Sequence, residues 1–231
     1  MDLFRDPGVY RRGKRFYTEN MVAGTSVYGE ALISEEGREF RVFDPFHSKL
    51  AAYLAKGGSQ WPFDHVDRLL YLGAGSGSTV SHISDMLPRA HLYAVERFPR
   101  PFGVFLQMAR SRPNLYPILA DAQSPERYRA LPGEVDLIYQ DVSQRNQVAI
   151  LLDNVRTSLD PDGVVLLQLK TRSITQSESP RAVLKTALGE LEAGGLVATE
   201  TVDLAPFSRD HYALVLERAM GKRGARPAHR R

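Results

Sequence analysis

The sequence lacks both cysteine and long apolar runs, and each absence excludes a class of protein. Without cysteine, the 231-residue chain has neither disulfides nor thiolate metal ligands, which fits a reducing compartment. No window reaches the roughly 18 apolar residues of a membrane-spanning helix, and the first residues contain no apolar signal-peptide core. The six histidines are scattered without metal-ligand spacing. We therefore expect a cytoplasmic protein with no membrane contact and no bound metal.

Basic residues are concentrated at the C-terminus. Residues 219–231 carry five cationic side chains and no acidic one, which leaves the other residues with a net charge of −2 against +3 for the whole chain. Such a segment is typical of a disordered tail that attracts phosphates nonspecifically, although a tail that only aids solubility is an equally good interpretation. The rest of the chain lacks the broad basic surface of a protein that binds RNA unaided.

From residue 66 onward, apolar runs alternate with helical patterns, which predicts an α/β fold of βαβ units around a seven-stranded, mostly parallel sheet. The last two strands lack an intervening helix, so we expect a hairpin whose final strand is antiparallel. The predicted strands are Val66–Leu72, His91–Glu96, Tyr116–Ala120, Val135–Asp141, Val164–Lys170, Leu196–Leu204 and Tyr212–Glu217. The predicted helices are Thr79–Leu87, Phe102–Arg110, Gln147–Leu159 and Arg181–Glu192.

The first 45 residues have a different pattern. Short runs such as Ser26–Tyr28 and Glu39–Phe43 are rich in β-forming residues and are separated by glycines and acidic turns, which predicts a small β-rich lobe. Ser48–Ala55 then has the pattern of a helix leading into the main domain. We expect three segments: a lobe over residues 1–46, the α/β domain over 47–218 and the basic tail over 219–231.

One apolar strand ends in three closely spaced glycines, Gly73-Ala74-Gly75-Ser76-Gly77, and a helix is predicted to follow. Glycine permits positive φ and close approach of a ligand to the backbone, while N–H groups at the start of the helix face the same space. The motif therefore predicts a cradle for a nucleotide-like ligand.

Polar residues or glycines end five predicted parallel strands. In an open α/β sheet, ligands bind outside the carboxyl ends of the strands. A single charged residue at such an end is usually only a solvated terminus, but five positions converging on one edge favour a binding site. These positions are Gly73, Glu96, Asp121, Asp141 and Lys170.

The spacing of these residues discriminates between cofactors. Glu96 follows Gly77 at the distance at which an acid accepts hydrogen bonds from a ribose diol, as in nicotinamide enzymes. The glycines form G-x-G-x-G and lack the G-x-G-x-x-G that a pyrophosphate needs. This favours S-adenosylmethionine, with Asp121 as a possible acceptor for the adenine amino group and Asp141 near the amino-acid end of the cofactor.

Methyl transfer to a ribose hydroxyl would require an aligned acceptor oxygen and help in removing its proton. Lysines can stabilise the developing alkoxide, or act as a base if their pKa is lowered. Lys170 ends an apolar strand, Lys49 lies on the preceding helix, and His211 begins the antiparallel strand and so lies at the same edge. Taken singly, Lys49 is most simply a surface lysine and His211 a strand-edge histidine.

These residues resemble the fibrillarin family, the RNA 2′-O-methyltransferases of box C/D ribonucleoprotein particles, over nearly the whole chain. Two motifs are specific to that family, Tyr139-Gln140-Asp141-Val142 and Arg172-Ser173-Ile174. Further matching motifs are Ser26–Glu30, Ser48–Ala51, Tyr71–Ala74, Thr79–His82, Tyr93–Glu96, Pro99-Arg100, Leu119–Ala122 and Asp210-His211.

The resemblance implies a class I S-adenosylmethionine-dependent methyltransferase fold and guide-RNA-directed ribose methylation of rRNA and tRNA. It implies a catalytic group of Lys49, Asp141, Lys170 and His211, where many relatives carry Glu in place of His211. Together with the glycine loop, the predicted cofactor-binding residues are Gly73, Ala74, Gly75, Gly77, Ser78, Thr79, Glu96, Arg97, Asp121, Ala122, Asp141, Val142, Ser143 and Gln144.

The resemblance also implies partners: a guide RNA with its rRNA or tRNA target, a Nop-family scaffold protein and a kink-turn-binding ribosomal-type protein. Small departures from the family pattern, namely Gly75, Ser78 and Ser143, keep the side-chain volume low and are compatible with cofactor binding. Without a Gly/Arg-rich N-terminal extension, the chain resembles the archaeal form. Three alternatives stay open: a non-catalytic particle subunit, a nicotinamide oxidoreductase, and a methyltransferase that also acts on protein side chains such as glutamine.

Overall fold

Two β-sheets of different character organise residues 1–219, the part of the chain that the computed structural model describes. The N-terminal sheet has five strands, all antiparallel, and the second has seven strands and is mostly parallel. The predicted α/β class and the β-rich N-terminal lobe are therefore confirmed. Apart from Ala219, the predicted basic tail lies outside the described residues. Within residues 1–219, no helix has the length and apolarity needed to span a bilayer.

The N-terminal sheet has the spatial order β1-β2-β3-β5-β4. Its strands are β1 Asp2–Arg5, β2 Val9–Arg12, β3 Arg15–Glu19, β4 Leu32–Glu35 and β5 Arg38–Phe43. The β-run predicted at Ser26–Tyr28 is wrong, because this segment is a loop. The backbone N–H groups of Val27 and Tyr28 donate to the Glu30 carboxylate, at 2.9 and 2.8 Å, instead of to a neighbouring strand.

The seven-stranded sheet has the order β11-β12-β10-β9-β6-β7-β8, so the direction of winding reverses between β6 and β9. Its parallel strands are apolar because helices cover both faces. The elements are α1 Lys49–Ala55, β6 Arg68–Leu72, α2 Ser78–Met86, β7 His91–Glu96, α3 Pro99–Ala109, β8 Leu115–Leu119, β9 Val135–Gln140, α4 Gln147–Ser158, β10 Leu159–Lys170, α5 Thr171–Ile174, α6 Pro180–Ala193, β11 Leu196–Asp203 and β12 His211–Arg218.

The predicted hairpin at the end of the chain is confirmed, since β11 and β12 pair antiparallel. Some boundaries differ from prediction. Helix α3 begins at Pro99 rather than Phe102, because proline is well suited to the first turn of a helix. Strand β10 begins at Leu159 rather than Val164, and its register with β9 shifts between these residues. The shift separates the pairing at Leu159 from the continuous pairing that begins at Val164.

A buried ionic network joins the N-terminal sheet to helix α2. The fully buried Arg41 donates to Glu30 at 2.6 Å and to Asp85 at 2.7 Å. Arg112 donates to the other oxygen of Asp85 at 2.6 Å. We call Glu30, Arg41, Asp85 and Arg112 the sealed charge cluster. Every charge in it has an opposite partner, which is the condition under which buried ions are tolerated.

His82 of α2 belongs to the same interface and is fully buried. The Thr18 hydroxyl donates to Asp85 at 3.0 Å, so at its 2.8 Å contact with His82 it accepts a hydrogen from Nδ1. Its Nε2 lies 2.8 Å from the Tyr28 hydroxyl, which also donates to the Val42 carbonyl at 3.2 Å. Burial, reinforced by the charges of Arg41 and Arg112, holds the pKa of His82 well below its usual range.

Candidate active site

A cavity of about 400 Å³ opens at the carboxyl edge of the sheet, where β6, β7 and β9 end. This is the switch point at which doubly wound sheets bind ligands. Most of the predicted cofactor residues line it, while Val95, Phe98 and Ala120 line it without having been predicted. The full lining is Gly73, Gly75, Val95, Glu96, Arg97, Phe98, Ala120, Ala122, Asp141, Val142, Ser143 and Gln144.

Two glycines shape the wall of this cavity for different reasons. A Cβ atom at Gly73 would lie 2.5 Å from the carbonyl oxygen of Asp141, so only glycine lets the ends of β6 and β9 approach this closely. Gly75 has a φ of +57° and open space beside it. Its backbone is therefore accessible to a ligand, as the sequence motif predicts.

Glu96 connects the glycine loop to the end of β7. One carboxylate oxygen accepts from the N–H of Gly75 at 2.9 Å, and the other accepts from the N–H of Phe98 at 2.8 Å. Each oxygen keeps a second lone pair. Glu96 can thus fix the shape of the loop and still accept hydrogen bonds from a diol in the cavity.

Some predicted cofactor residues lie outside the cavity lining. Asp121 forms an ion pair with Arg97 at 3.3 Å and accepts from the N–H of Gln123 at 3.0 Å, so its role towards adenine stays a prediction. The Thr79 hydroxyl donates to Ser48 at 3.0 Å and thereby ties α2 to the residue that caps α1. The other three, which form the turn into α2, are Ala74, Gly77 and Ser78.

Asp141 is the point at which the cavity meets the predicted catalytic group. Its backbone N–H continues the strand ladder by donating to Leu72 at 2.8 Å, which fixes the residue at the end of β9. The ammonium of Lys49 lies 2.8 and 2.7 Å from the two carboxylate oxygens. The two side chains are 23% and 15% exposed, so this ion pair faces the cleft without being sealed from it.

Lys170 and His211 are cross-strand neighbours in the β10–β12 pair, as predicted from the edge that they share. Gln147 holds the backbone of Lys170 from both sides, accepting from its N–H at 2.9 Å and donating to its carbonyl at 3.0 Å. Gln147 also donates to the Gln144 carbonyl in the cavity wall at 3.1 Å. Among residues 1–219, the Lys170 ammonium has no hydrogen-bond or ion-pair partner.

The imidazole of His211 has a defined tautomer. Its Nδ1 lies 2.7 Å from the carbonyl oxygen of Arg209, which can only accept, so Nδ1 carries the hydrogen and Nε2 the lone pair. Burial lowers the pKa of His211, and the charges of Lys49 and Lys170 act in the same direction. The arrangement therefore holds a neutral imidazole beside two cations.

Hydrogen bonds between Thr171, at the start of α5, and the loop before β12 form a latch that fixes the backbone next to His211. Asp210 has a φ of +59°, which is uncommon for a residue with a side chain. Its carbonyl accepts from both the N–H and the hydroxyl of Thr171, each at 3.0 Å, and Thr171 is fully buried. Strained backbone of this kind persists only where its surroundings enforce it, and it clusters at functional sites. Neither Thr171 nor Gln147 was predicted, because their contacts join distant segments.

The sheet order, the glycine loop and the cavity at the switch point together define a class I methyltransferase fold with a site for an adenosyl cofactor. The sequence model of the family described as Fibrillarin matches residues 5–220. The chain belongs to the fibrillarin family.

Three relatives illustrate this similarity. The fibrillarin-like rRNA/tRNA 2′-O-methyltransferase of Methanopyrus kandleri is 40% identical over 205 residues, which cover 88% of each chain. The structure of Aeropyrum pernix fibrillarin with natively bound S-adenosyl-L-methionine is 43% identical with a TM-score of 0.81, covering 87% of this chain and 88% of that one. A fibrillarin/Nop5p complex contains a chain that is 37% identical with a TM-score of 0.84, covering 92% and 98%.

Proposed function

We propose that this protein is an S-adenosylmethionine-dependent RNA 2′-O-methyltransferase that modifies rRNA and tRNA as the catalytic subunit of a box C/D guide particle. The observation that carries the proposal is the position of Asp141, which lines the cofactor-sized cavity and binds Lys49, with Lys170 and His211 at the same edge. The rRNA/tRNA 2′-O-methyltransferase named in Methanopyrus kandleri supports this assignment.

The cavity fits S-adenosylmethionine on its own residues. Glu96 keeps lone pairs for a ribose diol, Gly75 offers open backbone, and the remaining wall is small or apolar except for Arg97, Asp141 and Gln144. Gly73 and Asp141 would hold the amino-acid end, and Ala122 with the segment 142–144 would contact adenine. The relative from Aeropyrum pernix binds this cofactor. When bound, S-adenosylmethionine supplies an electrophilic methyl group.

Three side chains at the carboxyl edge of the sheet have different roles in methyl transfer. Lys49 donates to both oxygens of Asp141 and so positions the carboxylate and the acceptor ribose. His211 is neutral with a free Nε2 lone pair, which suits it to accept the hydroxyl proton. Lys170, which has no partner among residues 1–219, stabilises the charge that develops on the ribose oxygen.

Target choice and assembly fall to other molecules under this proposal. A guide RNA would select the ribose, a Nop-family scaffold and a kink-turn-binding protein would hold the particle together, and the particle would work in the cytoplasm. The fibrillarin/Nop5p complex of a relative supports the scaffold. The net charge of −2 outside residues 219–231 also supports it, because tight unaided RNA binding would need a broader basic surface.

A reconstitution tests the proposal. The full chain, a guide RNA, the scaffold and the kink-turn-binding protein are incubated with labelled S-adenosylmethionine and a target RNA, and the modified position is mapped. We expect one methyl group on the 2′-oxygen of the guide-specified ribose and none when that ribose is 2′-deoxy. Label on a base, on protein, or on RNA regardless of the guide would contradict the proposal.

A further inference from the structure

Phe46 is the most exposed large hydrophobic residue among residues 1–219, at 67%, and it lies three residues before Lys49. Its loop is ordered by hydrogen bonds. Asp44 Oδ1 accepts from the N–H of Phe46 at 2.9 Å, and the Asp44 carbonyl accepts from the N–H of Ser48, the residue that caps α1, at 3.0 Å. The ring is therefore presented to solvent by a defined turn that leads into the catalytic helix.

Phe207 supports this ring from the loop between β11 and β12. The two ring centroids are 5.1 Å apart at 68°, an edge-to-face contact that leaves one face of Phe46 open. Phe207 packs partly against the core, and its neighbour Ser208 lies 3.0 Å from His211 Nδ1. We call Phe46 and Phe207 the aromatic rim. It joins the loop that precedes Lys49 to the loop that precedes His211.

The charges around the aromatic rim favour a polyanion. Arg209 follows Phe207 closely, is exposed, and makes no ion pair among residues 1–219. The ammonium of the partly buried Lys170 also makes no ion pair within these residues. The nearby acids are engaged. Asp44 is bonded to His47, Asp203 accepts from the N–H of Ala205 and Asp210 faces Arg172.

Exposed aromatic faces beside unpaired cations are the combination with which proteins bind nucleic-acid strands, by stacking on bases and pairing with phosphates. A protein partner needs about 800 Å² of buried surface on each side, far more than two rings supply. The substrate strand, in contrast, has to continue past the catalytic group in at least one direction. The two loops of the rim lead directly to Lys49 and to His211, so a strand that leaves the catalytic group can pass over it.

We propose that the aromatic rim contacts the base of a nucleotide next to the methylated ribose in the RNA substrate, with Arg209 beside the phosphate. The inference rests on the proposed function and adds a substrate-positioning surface to it.

The first test compares the Michaelis constant for target RNA in reconstituted particles. Stacking on one base contributes about 1–3 kcal/mol, so F46A raises this constant on the order of tenfold, with little change in turnover at saturating RNA or in cofactor affinity. F46W, which keeps a flat ring, restores it. L131A, which removes a side chain of similar exposure (58%), serves as the matched control and changes nothing. A wild-type constant for F46A, or a defect confined to scaffold assembly, would overturn the proposal.

The second test removes the base instead of the ring. Target RNAs that are abasic on one or the other side of the methylated ribose are compared with intact RNA. We expect one of these abasic RNAs to raise the Michaelis constant of the wild-type particle. The same RNA should not raise the Michaelis constant of the F46A particle any further, because the contact is already lost. Equal effects on both proteins would contradict the contact.

A crosslink separates this inference from the proposed function. RNA that carries 5-iodouridine beside the target position is irradiated in the particle, and crosslinked peptides are identified by mass spectrometry. We expect crosslinks to the peptide containing Phe46 or Phe207, and their loss in F46A, even in a particle that transfers no methyl group. Crosslinks confined to other surfaces would overturn the proposal while leaving the assignment as a methyltransferase intact.

Discussion

Charged side chains meet in two places in this protein, and the two places are built in opposite ways. In the sealed charge cluster, Arg41 and Asp85 are fully buried and every charge is paired. At the edge of the sheet, the pair of Lys49 and Asp141 is partly exposed and Lys170 has no partner among residues 1–219. Breaking a complete buried network leaves an unpaired charge and destabilises the fold, whereas an incomplete network at the surface keeps capacity for a ligand. Substitutions should therefore separate stability from activity.

The largest effect on stability is expected for Asp85→Asn. This change leaves Arg41 and Arg112 without their shared carboxylate in a buried interface, which should cost about 3–5 kcal/mol of unfolding free energy. Urea denaturation followed by circular dichroism measures it. Asp153→Asn, which removes an exposed pair with Arg156, is the matched control and should change stability by less than about 1 kcal/mol. Equal midpoints for the two variants would show that the cluster is not structural.

Asp141→Asn should reduce activity strongly and stability only slightly, in contrast to Asp85→Asn. Loss of the carboxylate releases Lys49 and removes a cavity-lining charge, so we expect methyl transfer to fall by roughly 10²–10⁴-fold. Because the pair is partly exposed, the unfolding free energy should change by only about 1 kcal/mol. Single-turnover assays and urea denaturation of the same preparation measure both quantities. An Asp141→Asn protein that is much less stable than the wild type but keeps its rate of methyl transfer would contradict this prediction.

The pH dependence of stability should identify the sealed interface. His82 has a lowered pKa in the folded state, so the unfolded state binds a proton that the folded state does not. The free energy of unfolding therefore keeps its full value above the unfolded pKa of about 6.5. It falls as the pH drops below that value, with a limiting slope of about 1.4 kcal/mol per pH unit. Between pH 6.5 and 5.5, the wild type should lose about 1 kcal/mol more than His82→Gln, because half of the unfolded chains already carry the proton at pH 6.5. Parallel stability curves for the two proteins would contradict this.

The smallest effect is expected at the latch beside His211. Thr171→Val keeps the shape of the side chain but removes the hydroxyl hydrogen bond to Asp210, which contributes about 1 kcal/mol. Because this bond holds the backbone next to His211, its loss should reduce turnover about fivefold. Thr171→Ser should restore it. Nitrogen-15 spectra should show His211 protonated on Nδ1 in the wild type and in the Ser variant, with a mixture of tautomers in the Val variant.

Thr199→Val is the control for the latch, because it removes a threonine bond from β11 in the same sheet. We expect wild-type turnover and an unchanged His211 spectrum for this variant. If Thr171→Val and Thr199→Val behave alike, the latch has only a general structural role.

The sequence predicted those parts of the site that depend on local pattern. Gly73 and Asp141 were predicted because apolar runs end at them, and the parallel sheet brings such ends together. Gln147 and Thr171 could not be predicted, since each acts by bonding the backbone of a distant segment. Thr79 lies outside the cavity lining and bonds Ser48, the residue that caps α1. Partner choice of this kind is decided by tertiary packing and leaves no periodic signal.

The most direct test of the account is the methylation of target RNA by particles that contain Lys170→Ala, with the modified ribose mapped and cofactor binding measured by calorimetry. The account predicts that this chain keeps its urea midpoint and its affinity for S-adenosylmethionine, yet leaves the guide-specified 2′-hydroxyl unmethylated. Methylation at the wild-type rate would contradict it, because the open edge of the sheet would then not be where the chemistry occurs.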